Sequence, residues 1–186
     1  MSRRASFKPS AAFGARVDKT DDTWSLVLVR EFRHRPAHVW EALTDPEQLR
    51  AWAPFDASGS LAHEGAVVSL TTLGAPTPIV AETTITRAVR EQLLEYRWGG
   101  HAMRWELEPH GTGTRLTLWH QIDRGFIAWG AAGWHLCFDV LAHHLDGDPL
   151  GRIVGGDAMA FDWQRLNTEY AALMGVDTKP FPGGAK

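Results

Sequence analysis

Cysteine occurs once in the 186 residues, at Cys137. A single thiol excludes an internal disulfide and any metal cluster built on cysteines. Residence in the cytoplasm is the default expectation. Neither sign of charge dominates: 19 lysines and arginines stand against 22 aspartates and glutamates, a formal net charge of −3. Such a balance exerts no general pull toward nucleic acid or an anionic membrane surface. No uninterrupted apolar run reaches the ~20 residues of a membrane span, so none is expected. The opening MSRRASFKPSAAFGARVDKT is basic and rich in small residues, but it lacks the continuous apolar core of a secretory signal. Signatures of nucleophilic catalysis and phosphate binding are missing too: there is no G-x-S-x-G elbow and no glycine-rich loop opening a helix.

Tryptophan, by contrast, is abundant, with nine residues in a chain that is 44% hydrophobic. One ordinary domain with a sizeable core fits this length and composition. The stretch around which the chain is organised is 126–146, FIAWGAAGWHLCFDVLAHHLD. At helical spacing Ile127, Gly130, Trp134, Cys137, Phe138, Leu141 and Leu145 fall on one arc, which Trp129, Gly133, Leu136 and Val140 widen. Ala128, Ala131, Ala132, His135, Asp139, Ala142 and His143 occupy the other side and are expected to form a solvated strip. The first half of this helix is built of glycine and alanine bounded by Trp129 and Trp134, the second half of large residues. The small residues serve either close helix–sheet packing or an aromatic-lined cavity.

Residues 1–22 show no apolar periodicity and are expected to be a flexible arm. TWSLVLVREFR (23–33) is a first strand. Pro36 suits the first turn of a helix carrying Val39, Trp40 and Leu43, and Thr44-Asp45-Pro46-Glu47 caps a second short helix with Leu49 and Trp52. From 55 to 122 the regular punctuation predicts successive antiparallel strands. AVVSLTTL is followed by one continuous run PIVAETTITRAV, then QLLEYRW, a Gly99-Gly100 hairpin, HAMRWELEP and TRLTLWHQI. Alternation puts Leu94, Tyr96 and Trp98, then His101, Met103, Trp105 and Leu107, then Leu116, Leu118, His120 and Ile122 on one face. Glu95, Glu106 and Glu108 fall on the other, so no inward carboxylate pair is expected. After the long helix, Asp157 is expected to cap a final helix ending at Gly175. One domain spans 23–174, and 175–186 is expected to be a flexible tail.

The order of these elements, with His38-Val39-Trp40-Glu41-Ala42-Leu43-Thr44-Asp45-Pro46-Glu47 through Trp52, resembles the opening of the START-like (SRPBCC) superfamily. Leu94-Glu95-Tyr96-Arg97-Trp98 is similar to its middle strand, and Glu106-Leu107-Glu108-Pro109 with Gly113-Thr114-Arg115-Leu116-Thr117-Leu118 to its last hairpin. Gly133-Trp134 with Asp139 and Leu141 is similar to its long helix. Within the superfamily the chain resembles the domain related to activators of the 90-kDa heat-shock protein ATPase. The resemblance covers about 23–146 and implies an α+β helix-grip fold. In that fold a curved antiparallel sheet of about six to seven strands wraps a long C-terminal helix, two short helices follow the first strand, and here a terminal helix is added. It also implies an apolar cavity and no required cofactor. The chaperone activators carry a separate domain before this one, whereas only about twenty residues precede it here.

The expected function is binding of a small, mostly apolar molecule, lipid-like or aromatic, between the sheet and the long helix. Expected ligand contacts are Tyr96, Trp98, His101, Met103, Trp105, His120, Trp129, Gly133 and Trp134. His120 is the one candidate general acid/base, which keeps a cyclase- or dehydratase-type enzyme as an alternative. A protein-interaction or chaperone-linked stress module is the other. Trp119 lies on the outer face, where an exposed ring would signal association, such as a homodimer. Metal binding is not expected. His143 and His144 are adjacent on a helix, Pro36 separates His34 from His38, and His135 with Asp139 reads as a surface pair.

Overall fold

A computed structural model describes residues 3–75 and 77–180. Six strands form the main antiparallel sheet: β1 (Ala15–Thr20), β2 (Thr23–Phe32), β6 (Arg87–Val89), β7 (Leu93–Trp98), β8 (His101–His110) and β9 (Gly113–Gln121). Their order is β1-β2-β9-β8-β7-β6. A second sheet, β3-β4-β5, is built from Phe55–Ala57, Val67–Thr72 and Ile79–Thr84. The helices are α1 (Arg3–Ser6), α2 (Pro36–Thr44), α3 (Pro46–Trp52), α4 (Ile127–Leu145) and α5 (Trp163–Met174). This is the α+β helix-grip arrangement, with α4 gripped by the sheet.

Local chemistry explains the elements that position the site. Asp45 closes α2 and opens α3: its Oδ1 accepts from the backbone N–H groups of Glu47 (2.9 Å) and Gln48 (3.0 Å), and Pro46 fills the first helical position. On β7, β8 and β9 the alternation holds, with Leu94, Tyr96, Met103, Trp105, Leu107, Leu116, Leu118 and His120 all buried. Antiparallel register sets Met103 opposite both Tyr96 and His120, and Trp105 opposite Leu94 and Leu118.

Four expectations are corrected. First, the segment 1–22 is no flexible arm where it is described. Ala15–Thr20 pairs with Thr23–Leu28 as an edge strand. Arg4 donates to the carbonyl oxygens of Leu150, Gly151 and Arg152, and the Ala12 N–H donates to Glu169 (2.8 Å). The contacts are long-range, and the apolar ones among them, such as Phe7 against Phe161, are too scattered in sequence to leave a periodicity. Second, Ala128, Ala131, Ala132 and His135 are fully buried rather than solvated. Helix α5 and the N-terminal segment cover that side of α4, which is therefore enclosed on both sides. The stretch Arg124–Leu145 even has the length and composition of a membrane span, but 67% of its apolar window is buried inside the protein. Third, PIVAETTITRAV is not one strand: β5 ends at Thr84 and β6 begins at Arg87, in the other sheet. Fourth, Asp157 caps no α-helix. Gly155–Phe161 is a 3-10 turn, and α5 starts after Asp162, whose left-handed φ of 57° redirects the chain. In the expected tail, Lys179 accepts from the Asn167 side chain (3.0 Å) and sets its ammonium over Phe126. Residues 181–186 lie outside the described residues.

Candidate functional site

The two halves of α4 meet the sheet differently. Its C-terminal half brings Phe138 against Trp52 and Trp105, with ring centroids 6.4 and 6.2 Å apart. Trp105 is also edge-on to Trp134 at 5.4 Å, and aromatic rings fill this end. The N-terminal half has no such bulk. An ideal Cβ on Gly130 would meet Ile122 Cδ1 at 3.0 Å, whereas one on Gly133 would meet nothing within 4 Å. Gly130 therefore serves close packing, and Gly133 faces open space.

That space is a cavity of about 560 Å³. Trp98, His120 and Ile122 from the sheet form one wall, and Trp129, Gly133, Trp134 and Cys137 from α4 form another. The β4–β5 turn and the loop after α4 close it, and Trp163 at the start of α5 completes it. Gly74 and Gly155, both at positive φ, bring these two segments into backbone contact: a Cβ on Gly74 would lie 2.5 Å from Gly155 Cα. No aspartate, glutamate, lysine or arginine is among the described lining residues.

Five of the nine expected contact residues line this cavity: Trp98, His120, Trp129, Gly133 and Trp134. The structure puts the other four elsewhere. Trp105 and Tyr96 belong to the filled end, where the Trp105 indole donates to the Tyr96 hydroxyl (3.2 Å). Burial raises the Tyr96 phenol above its ordinary range. Met103 is buried in the core between Tyr96 and His120 in register. His101 is half-buried beside the Gly99-Gly100 turn, its ring 6.1 Å from that of His120. Strand alternation alone gave the right face but not the position along it. Gly74, Ile153, Val154, Gly155 and Ala158 have no periodic signal, since they reach the cavity only through loop packing.

Wall polarity is largely spent internally. The Trp98 indole donates to Thr72 Oγ1 (2.8 Å), and the Trp134 indole donates to His120 Nδ1 (3.0 Å). An indole nitrogen only donates, so His120 Nδ1 is an acceptor and the ring proton sits on Nε2. Burial, with a smaller contribution from His101, pushes His120 down to about 3. Cys137 is pushed up to about 12 by burial and stays a thiol.

Behind α4, away from the cavity, lies a second buried polar cluster. Arg30 donates to the carbonyl oxygens of Phe13 (3.1 Å) and Val29 (2.9 Å), to the Tyr170 hydroxyl (2.9 Å) and to His135 Nδ1 (3.1 Å). His135 Nε2 faces Asp139 at 3.3 Å. The expected surface pair is thus a fully buried histidine beside a half-buried aspartate. On the outer face, the Arg104 guanidinium lies over Trp119 at 5.7 Å, which gives that ring an intramolecular partner. No cluster of three or more metal-ligating side chains occurs among the described residues.

The family model for "Activator of Hsp90 ATPase homolog 1-like protein" matches residues 33–146. The chain belongs to this family. Those residues of the family domain run from the end of β2 through α4, and thus supply the sheet wall and the helix of the cavity. No curated protein matches the chain. Among solved structures, the solution structure of CalU16 from Micromonospora echinospora is 21% identical, with a TM-score of 0.65. That alignment covers 89% of this chain and 93% of that one. The crystal structure of the same protein is 23% identical, with a TM-score of 0.63 over 89% and 97% of the two chains. EF2215 from Enterococcus faecalis, described as a conserved protein of unknown function, is 16% identical, with a TM-score of 0.62 over 86% and 89%. At these identities the likeness concerns the fold, and a fold by itself does not fix a function.

Proposed function

We propose that this member of the Activator of Hsp90 ATPase homolog 1-like family binds one small, mostly apolar molecule, aromatic or lipid-like, between the sheet and α4. The observation that carries the reading is the open space at Gly133 inside an uncharged, tryptophan-walled cavity. Its volume lies in the range of small-molecule sites, and flat aromatic walls favour planar or chain-like apolar ligands. Neither a cofactor nor nucleic acid enters this reading. We place the protein in the cytoplasm, in keeping with its lone, buried Cys137.

A thermal-shift screen against fatty acids, sterols, flavonoids and aromatic polyketides tests the reading. A ligand at 100 times its Kd adds about 2.7 kcal/mol of stability. The expected result is a saturable rise that Gly133→Leu abolishes by filling the cavity. A flat response across the panel moves the weight to the interaction module, for which a partner would survive Gly133→Leu.

Burial speaks against the enzymatic alternative. A catalytic acid or base works best with a pKa near the operating pH. With its pKa near 3, His120 is a neutral imidazole at neutral pH, with no imidazolium proton to give and little basicity. Turnover of a bound ligand that His120→Gln abolishes would reinstate the cyclase or dehydratase reading.

A further inference from the structure

The cavity lining carries no charged side chain, and two hydrogen bonds fix the roles of its central polar atoms. Two indole N–H groups that would otherwise point at a ligand are satisfied by Thr72 Oγ1 and His120 Nδ1. Thr72 Oγ1, having accepted from Trp98, keeps its own proton to give. His120 Nε2 makes no hydrogen bond among the described residues, while its ring lines the cavity. His120 Nε2 is thus a neutral donor only, Thr72 Oγ1 can give its proton or accept once more, and the lining Cys137 thiol is a weak donor. A buried donor without a partner costs free energy, and a ligand that supplies an acceptor recovers it. A carboxylate or ammonium would meet no opposite charge among the described lining residues, at a far larger cost.

We propose that the cavity selects an uncharged ring molecule bearing a carbonyl-type oxygen, which accepts a hydrogen bond from His120 Nε2 while Trp134 acts as the positioning residue that fixes the proton on that nitrogen. This rests on the ligand-binding reading of the same cavity and adds to it the polarity of the ligand. A protonated His120 would set its Nδ1–H head-on against the Trp134 indole N–H, so the geometry itself holds the ring neutral. The depressed pKa of His120 agrees. Exchange of His120 for Gln preserves both roles, since an amide oxygen takes the indole N–H and the amide N–H₂ faces the cavity. Exchange for Phe preserves the apolar bulk and removes both.

The test uses three probes of one skeleton: fluorene, 9-fluorenone and fluorene-9-carboxylate, titrated calorimetrically into the full chain. Wild type is expected to bind the ketone about tenfold more tightly than the hydrocarbon, the worth of one hydrogen bond inside an apolar site, and the carboxylate more weakly than either. His120→Phe should bring ketone and hydrocarbon to the same Kd, and His120→Gln should keep most of the preference. In ¹⁵N spectra of the free protein, His120 should show the Nε2–H tautomer, and Trp134→Phe should release it. Equal ketone and hydrocarbon affinities in wild type, or tightest binding of the carboxylate, would overturn the proposal and leave the apolar cavity standing. Absence of binding by all three probes would overturn this proposal, and the thermal-shift panel separately decides the ligand-binding reading.

Discussion

His120 sits at the end of an inward-facing strand set, which its sequence position indicates, but its chemistry depends on what surrounds it. Unfolded, a histidine titrates near 6.5, whereas in the fold it stays neutral down to about 3. Between those values the unfolded state binds one more proton, so stability falls as pH falls, by about 1.4 kcal/mol per pH unit. Above about 6.5 this contribution is flat. Denaturant midpoints measured from pH 7.5 to 4.5 should therefore decline less steeply in His120→Phe than in wild type. His144, also lowered by burial, keeps a share of the slope in both. Arg30 is the other residue whose surroundings decide its role. It is buried with no carboxylate in direct contact, held by two carbonyl oxygens, a phenol and an imidazole. Arg30→Met removes four hydrogen bonds at once and leaves only the Tyr170 hydroxyl to serve Phe13 O (3.1 Å) or His135 Nδ1 (2.8 Å), so a loss of about 3 kcal/mol is expected in chemical unfolding. Because Phe13 is one of the partners, the loss should be accompanied by faster amide exchange over β1.

Helix α4 combines two kinds of glycine within four residues. Gly130 lets the helix approach Ile122 and Leu26, whereas Gly133 has no neighbour within 4 Å. Alanine in a helix interior is favoured over glycine by about 1 kcal/mol. Gly133→Ala is accordingly expected to raise the unfolding midpoint, while Gly130→Ala gains less or loses, because its Cβ crowds Ile122. A stabilised Gly133→Ala with weakened ligand binding would mark this glycine as retained for space rather than for the helix. The two segments that close the cavity are as sensitive as the helix. Gly74→Ala meets both a positive φ and the Gly155 backbone at 2.5 Å, so it should destabilise the chain and loosen both loops in hydrogen exchange.

Across the whole molecule, filled and empty regions are divided along one helix axis. Large rings from three elements, Trp52, Trp105 and Phe138, occupy one end, and the cavity takes the other. Trp105→Ala should cost about 3–5 kcal/mol, because it opens a void in packed surroundings. Trp98→Ala should cost distinctly less, since Trp98 already borders open space. Equal losses in paired denaturation curves would mean that the cavity end is as tightly packed as the core. The N-terminal segment completes the division: with α5 it covers the far side of α4, so the long helix is enclosed by sheet on one side and by polar-latched chain on the other.

Much of this could be read in the sequence, for a physical reason. Strand alternation, the Asp45-Pro46 cap, the Gly99-Gly100 turn and the apolar arc of α4 depend on neighbours two to four residues away, and local spacing records such contacts directly. They determined the order of elements whose resemblance implied the helix-grip fold, the inward face of β7–β9 with Trp98 and His120 on it, and the place of Trp134 on the apolar arc of α4. Other features were decided only by contacts between residues distant in sequence. Burial of His135 needs Tyr170, Ser10 and Arg30. Order in residues 15–20 needs the edge of β2 and the Arg4 and Ala12 latches. The tautomer of His120 needs an indole fourteen residues away. Which tryptophans fill the core and which border a cavity depends on where along the sheet the bulky half of α4 comes to lie, and no local spacing encodes that position.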